Sequence, residues 1–176
     1  MKLQDIFSSN EISDSEADKI IYARDASAFE GTCTGVVWPT QKEQVQQLVM
    51  YCRRTAHTLT VRGAGTSTYG GAVPMDAMVV DMSKMKKILD MGSDWVKVQA
   101  GVVLSDLNRF LRRKNKIFPL QPLEYSVCTI GGMIATNTSG LNSYYGRMED
   151  WVLELEVIDG AGRTYTTSSA TMKDFI

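Results

Sequence analysis

The chain has 176 residues, 44% hydrophobic and 22% charged, with a formal net charge of -1. That is the size of one domain or two small lobes able to bury roughly 70% of the unfolded surface, so a true core is available. The near-neutral charge excludes a basic field for nucleic acid, and any anion must be held locally.

The opening "MKLQDIFSSNEISDSEADK" has no apolar segment of the secretory kind, and no run approaches the roughly eighteen apolar residues of a membrane span. A cytoplasmic protein is expected. Cys33, Cys52 and Cys128 are odd in number, widely spaced and free of any CxxC, so they read as reduced packing residues. Asn137-Thr138-Ser139 matches the glycosylation pattern, but without a secretion signal the match is read as accidental.

In chain order, Ser13 with Glu16 three residues on predicts an N-cap and a short helix to Arg24. "GVVWPT" reads as a strand stopped by Pro39. Thr40 and Glu43 have capping-box spacing, and Val45, Leu48, Val49 and Cys52 form one apolar helical stripe to about Arg54. "TLTVR" is the next strand. After a glycine-rich loop, "AMVVDMS", "KKILDM" and "WVKVQAG" predict three successive strands in a local meander. Leu104, Leu107 and Leu111 share a helical face in "LSDLNRFLRRKNK", whose basic end suits a helix C-terminus. "FPLQP" breaks that helix, Gly131-Gly132 open a short run of small residues, and "WVLELEVIDGAGRTYTTSS" reads as a strand pair turned at Asp159 to Gly162.

The chemistry is concentrated in "VRGAGTSTYGGAVP". Gly63 and Gly65 lack a third glycine at Thr68 and precede a strand, so the Rossmann fingerprint fails. Gly70 is followed by Gly71-Ala72 rather than by Lys and a hydroxyl residue, so a Walker A loop fails too. A strand, a run of small residues and another strand can instead point successive amides into one concavity and hold phosphate oxygens without lysines. Thr66, Ser67 and Thr68 add hydroxyl donors, while Gly63, Gly65, Gly70 and Gly71 allow close approach. The same composition also serves a mobile hairpin loop, and the loop alone leaves both readings open. In "CTIGGMIATNTSG", a helix opened by Gly131 and Gly132 would present free amides as a second anion site, and two such sites suit a diphosphate. The competing reading is a helix whose small residues let it pack closely against a sheet.

The order "YARD", "GVVWPTQKEQVQQLVMYCRR", "VRGAGTSTYGGAVP", "MVVDMSKMKKIL", "VQAGVVLSDLNRFL", "IFPLQP", "CTIGGMIATNTSG", "YYGRMEDWVLELEVIDGAGR" resembles the FAD-binding domain of the vanillyl-alcohol oxidase or PCMH type, from about Tyr22 onward. Within that family it is most similar to the FAD-linked glycolate oxidase subunit and D-lactate dehydrogenase group. The resemblance implies an α+β domain of two lobes, a small sheet with helices and a larger, mainly antiparallel sheet, occupying residues 31–176 behind an N-terminal helical segment of residues 1–30. It implies FAD contacts at Arg62, Gly63, Ala64, Gly65, Thr66, Ser67, Gly70 and Gly71. A second group would be Pro122, Thr129, Gly131, Gly132, Ala135, Asn137, Ser139 and Gly140, with Tyr145 and Gly146 near the flavin and Val157 near the adenine end.

Some members attach the flavin through a histidine in the glycine loop. The corresponding neighbourhood here holds Thr66, and the only histidine, His57, precedes the strand, so noncovalent FAD is expected. No metal site and no catalytic residue are expected. The resemblance further implies a last flavin-contacting segment and a substrate cap beyond these residues, so that the sequence is incomplete at its C-terminal end relative to the family. It predicts the flavin-binding portion of an oxidoreductase acting on a D-2-hydroxy acid, with a possible second chain that bears the cap. The alternatives are a noncatalytic flavin-binding subunit or remnant, and a flavoprotein resembling the UDP-sugar enolpyruvyl reductases.

Overall fold

The structure, a computed structural model, describes residues 2–168. The described residues fall into two compact units divided in sequence between Lys84 and Met85, with residues 158–165 returning to the first.

In the first unit, β1 (Ile12–Ser13), β2 (Cys33–Val37), β3 (Thr58–Arg62) and β4 (Ala77–Asp81) form one sheet in the order β1-β2-β4-β3. β2 and β3 both run parallel to β4, and β1 is antiparallel to β2. The sheet carries helices α1 (Glu16–Tyr22) and α2 (Lys42–Thr55). Every residue of β4 is buried, as a strand with both faces covered requires. Val37 and Val80 pack with Leu48 and Cys52 of α2 and with Ile6 and Phe7 of the N-terminal segment, while Val36 and Val79 pack with Tyr22 and Trp38.

This topology corrects the predicted meander. "AMVVDMS" is a parallel strand of the four-stranded sheet, and the antiparallel partners downstream are β5 (Ile88–Met91) and β6 (Val96–Val98) alone. The unbroken apolar run Ala77–Val80 was the local sign of burial on both faces, which an edge strand of a meander does not need.

Helix boundaries shift for identifiable reasons. Ser15, not Ser13, caps α1, because its hydroxyl accepts the Asp18 amide; Ser13 lies in β1 and its own hydroxyl donates to the Asp18 carboxylate. At α2 the capping side chain is Gln44 rather than Glu43, its Oε1 accepting the amides of Thr40 and Gln41. α2 stops at Ala56, in the left-handed region at φ 55°, where the His57 amide reaches back to the Cys52 carbonyl.

The second unit is built on α3 (Leu104–Arg112) and α4 (Ile130–Ala135) with the β5–β6 pair. Leu104, Leu107 and Leu111 are buried as their spacing predicts, with Leu120, Ile130 and Met133 beside them. α3 ends at Arg112, short of the predicted Lys116, because Asn115 takes φ 55° and the Lys116 amide closes on the Leu111 carbonyl. Asn108, on the same buried face, holds the backbone of Phe118 at both ends.

β7 (Glu154–Ile158) and β8 (Thr164–Ser168) pair through the turn predicted at Asp159 to Gly162, with the Asp159 carboxylate accepting the Ala161 and Arg163 amides. The α+β class is as expected, and antiparallel pairing downstream is confined among the described residues to two-stranded pieces. All three cysteines are buried and free.

Candidate flavin site

The glycine loop leaves β3 at Arg62 and returns to the core at Ala72, Val73 and Pro74, which are all buried. Its curvature requires positive φ at Gly65 (69°) and Gly70 (78°). Ser67 ties the loop to itself, its Oγ accepting the Tyr69 and Gly71 amides at 3.3 and 3.2 Å. The Gly65 carbonyl accepts the Ala26 amide at 3.0 Å.

Among the described residues, nothing accepts from the amides of Ala64, Thr66 and Thr68, or from the hydroxyls of Thr66 and Thr68. The loop thus presents neutral N–H and O–H donors interleaved with glycines. That donor set fits the pyrophosphate of a dinucleotide, which is an acceptor on every oxygen.

Arg62 packs beside Gly65 with its head group engaged within the protein. Its guanidinium lies 5.2 Å from the centroid of the Tyr22 ring, and its Nη1 donates to the Arg24 carbonyl at 2.6 Å. The Asp25 carboxylate accepts the Ser27 amide at 2.8 Å and the Ala72 amide at 3.2 Å. Burial raises the Asp25 pKa, but the bonds from Ser27 and Ala72 and the charge of Arg62 outweigh it and hold the group below its ordinary value. "YARD" is therefore a structural support of the glycine loop. Sequence reasoning used it only as part of a motif order; the spacing of Tyr, Arg and Asp ahead of the loop was the available signal.

Tyr22 has its own anchor. Its hydroxyl donates to Asp81 Oδ2 at 2.5 Å and accepts from Trp38 Nε1 at 3.0 Å, while Asp81, itself buried, also accepts the Ser83 amide. Burial, then the bond to Asp81, pushes the Tyr22 pKa up to about 12. Because the folded value lies above the ordinary 10.0, this contribution to stability is complete below about pH 10 and is lost as pH rises toward 12. Wild type is therefore expected to lose stability more steeply between pH 10 and 12 than Tyr22→Phe, checked by denaturant melts across that range. Parallel curves would mean that Tyr22 ionises as a free tyrosine does.

The second cluster lies in the other unit. Thr129 is the N-cap of α4, its hydroxyl oxygen accepting the Gly132 amide at 3.2 Å. The Ile130 and Gly131 amides donate to the Val102 and Ala100 carbonyls, both at 2.8 Å. This corrects the expectation of a second anion site, because the amides that would have formed it are already used inside the protein. A Cβ at Gly131 would stand 2.7 Å from that of Ala100, so this glycine serves the close packing of the helix. Gly140 is held likewise, since a Cβ there would stand 2.9 Å from the Gln121 amide nitrogen.

Among the remaining predicted contacts, Pro122 is buried and Ala135 is exposed. Asn137, at φ 46°, accepts the Glu149 amide, and Ser139 bridges to Arg147. The Tyr145 carbonyl accepts from Trp151 Nε1 at 2.7 Å. Gly146 has φ 70° and ψ −142°, a conformation left to glycine. Val157 is a half-buried residue of β7. His57 is exposed, its ring nitrogen within bonding distance of Thr55. Among the described residues no group of His, Cys, Asp or Glu could hold a metal, and no helix is long and apolar enough to cross a membrane.

The architecture recurs in solved structures. Alkyldihydroxyacetonephosphate synthase superposes with a TM-score of 0.90 at 19% identity, over 99% of this chain and 36% of that one. p-Cresol methylhydroxylase superposes at 0.81 and 20%, over 94% of this chain and 34% of that one. These likenesses define the class of fold.

The family described as an FAD binding domain matches residues 33–168, and the chain belongs to it, in agreement with its PCMH-type motif order. Relatives include the D-2-hydroxyglutarate–pyruvate transhydrogenase of Saccharomyces cerevisiae, 30% identical over 96% of this chain and 36% of its own length. The glycolate oxidase subunit GlcD of Bacillus subtilis is 30% identical over 92% and 35%, and the D-lactate dehydrogenase of Archaeoglobus fulgidus 33% over 79% and 32%. The chain spans about a third of the length of the curated relatives it matches.

Proposed function

We propose that these residues form the flavin-binding portion of an FAD-dependent oxidoreductase that oxidises a D-2-hydroxy acid of the lactate, glycolate or 2-hydroxyglutarate kind. The observation that carries the reading is the set of unpartnered amides and hydroxyls at Ala64, Thr66 and Thr68, in a chain that belongs to the FAD binding domain family. The module takes in residues 31–176 behind the segment 1–30. The glycine loop holds the pyrophosphate through Gly63, Ala64, Gly65, Thr66, Ser67, Gly70 and Gly71. The remaining contacts are Pro122, Thr129, Gly131, Gly132, Ala135, Asn137, Ser139, Gly140, Tyr145, Gly146 and Val157.

Bound FAD supplies the hydride-accepting chemistry. The protein's own residues bind and orient it, noncovalently, since Thr66 cannot take the covalent role of a loop histidine. Oxidation of a 2-hydroxy acid also needs a base within hydrogen-bond reach of the hydroxyl. His57 is exposed with its Nδ1 at Thr55, which gives no support for that role. We assign the base to a substrate-binding part of the protein outside these residues, on the same chain or on a partner, in a cytoplasmic enzyme.

Calorimetry of the purified 176-residue chain against FAD, FMN and NAD tests the cofactor. FAD is expected to bind most tightly. FMN binding as tight as FAD would show that the glycine loop does not serve a dinucleotide and would overturn the reading.

A further inference from the structure

Resting on the assignment of the glycine loop to FAD, we propose that Tyr22 is a positioning residue for the cofactor: its ring holds the Arg62 guanidinium against Gly65 and so fixes the loop in its receiving shape. The series of contacts is continuous within one unit. Asp81, on the central strand β4, accepts from the Tyr22 hydroxyl, and Trp38 meets the Tyr22 ring edge-on with centroids 6.0 Å apart. The ring is thereby fixed to the sheet, and Arg62 lies across it at 5.2 Å.

Arg62 in turn fills the space beside Gly65, where a Cβ would stand 2.1 Å from Nη2 and 2.3 Å from Cζ. Its Nη1 bond to the Arg24 carbonyl fixes the guanidinium plane, and two residues on, the Ala26 amide bonds the Gly65 carbonyl. Gly65 is thus gripped on two sides, with the unpartnered amides of Ala64 and Thr66 flanking it. An arginine in a glycine loop is most simply read as a phosphate ligand. Here its geometry gives it a different task, because the head is engaged by an aromatic face and a carbonyl.

The test is a double-mutant cycle on the 176-residue chain, with Tyr22→Leu, Arg62→Met and the pair. FAD affinity is measured by calorimetry and stability by the apo melting temperature. Each single variant is expected to weaken FAD binding about tenfold, between the scales of an exposed and a desolvated cation–π contact, as suits two half-buried residues. The double variant should also lose about tenfold rather than a hundredfold, because one contact is removed in all three. Leu48→Val, which thins the packing under α2, controls for stability and should lower the melting temperature without moving the FAD affinity.

Unchanged affinity in Tyr22→Leu and Arg62→Met, or losses that multiply in the double variant, would overturn the brace while leaving the flavin assignment standing. A parallel loss of affinity in Leu48→Val would show that the effect is general destabilisation and overturn it too. If Tyr22→Leu does not fold, Arg62→Met against Leu48→Val decides the matter alone. A wild-type chain that takes up no FAD overturns the flavin assignment and the brace together.

Discussion

Replacing Gly65 with valine is expected to lower FAD affinity by about a hundredfold, equivalent to about 2.7 kcal/mol, while the apo protein still folds. Two physical effects act together. Gly65 sits at φ 69°, where a β-branched side chain is a true outlier and costs about 1–3 kcal/mol of strain. A Cβ there would also collide with the Arg62 guanidinium at 2.1 Å. That guanidinium is the far end of a flexible side chain, so it can swing away and leave the sheet intact.

The contrast is Gly31, where a Cβ would meet the Pro74 carbonyl oxygen at 1.9 Å, a backbone atom that cannot move independently. Strain at Gly65 is therefore released by the loop, which loses its receiving shape, rather than by the core. Calorimetry with FAD beside an apo melt checks the prediction. Unchanged affinity, or a variant that does not fold, would count against a binding role for the loop.

Asn108→Leu is expected to produce the largest loss of stability, about 3 kcal/mol, without any change in the flavin loop. Asn108 is fully buried, with its Nδ2 donating to the Phe118 carbonyl at 3.0 Å and its Oδ1 accepting the Phe118 amide at 2.7 Å. Leucine preserves most of the volume but leaves both backbone groups without a partner, at about 1–3 kcal/mol each. Phe118 is only half-buried, so water recovers part of that cost.

For a protein of this size the loss corresponds to a fall of about 6–12 °C in melting temperature. The consequence reaches the second cluster, because the segment leaving Phe118 passes through buried Leu120 to Gln121, whose carbonyl accepts the Leu141 amide and whose nitrogen abuts Gly140. A melting temperature within a degree of wild type would mean that water satisfies Phe118 as well as asparagine does.

Both substitutions bear on the difference between a glycine that binds and one that packs. The two glycine clusters look alike in composition. One leaves its donors unpartnered at Ala64, Thr66 and Thr68, and the other uses the amides of Ile130, Gly131 and Gly132 on Val102, Ala100 and Thr129. The acceptors at Ala100 and Val102 are some thirty residues away, so no local pattern reports that they are occupied. Reading the second cluster as an anion site was thus a reasonable inference from composition that tertiary hydrogen bonding reverses.

Taken alone, the amino-acid sequence determined the features that depend on near neighbours. The leucine stripe of α3, the strand "TLTVR", the turn at Asp159 to Gly162 and the positive-φ glycines of the first loop all follow from spacing and residue type. The order of motifs carried the family, because each glycine run is weak but their sequence along the polypeptide is specific. Tertiary structure decided what depends on distant partners. It placed β4 between β2 and β3 instead of beside β5, because there α2 and the N-terminal segment cover one face of the strand and Tyr22 and Trp38 the other. It laid Arg62 across Tyr22, because an anchored aromatic face and a carbonyl, both distant in sequence, receive its guanidinium there.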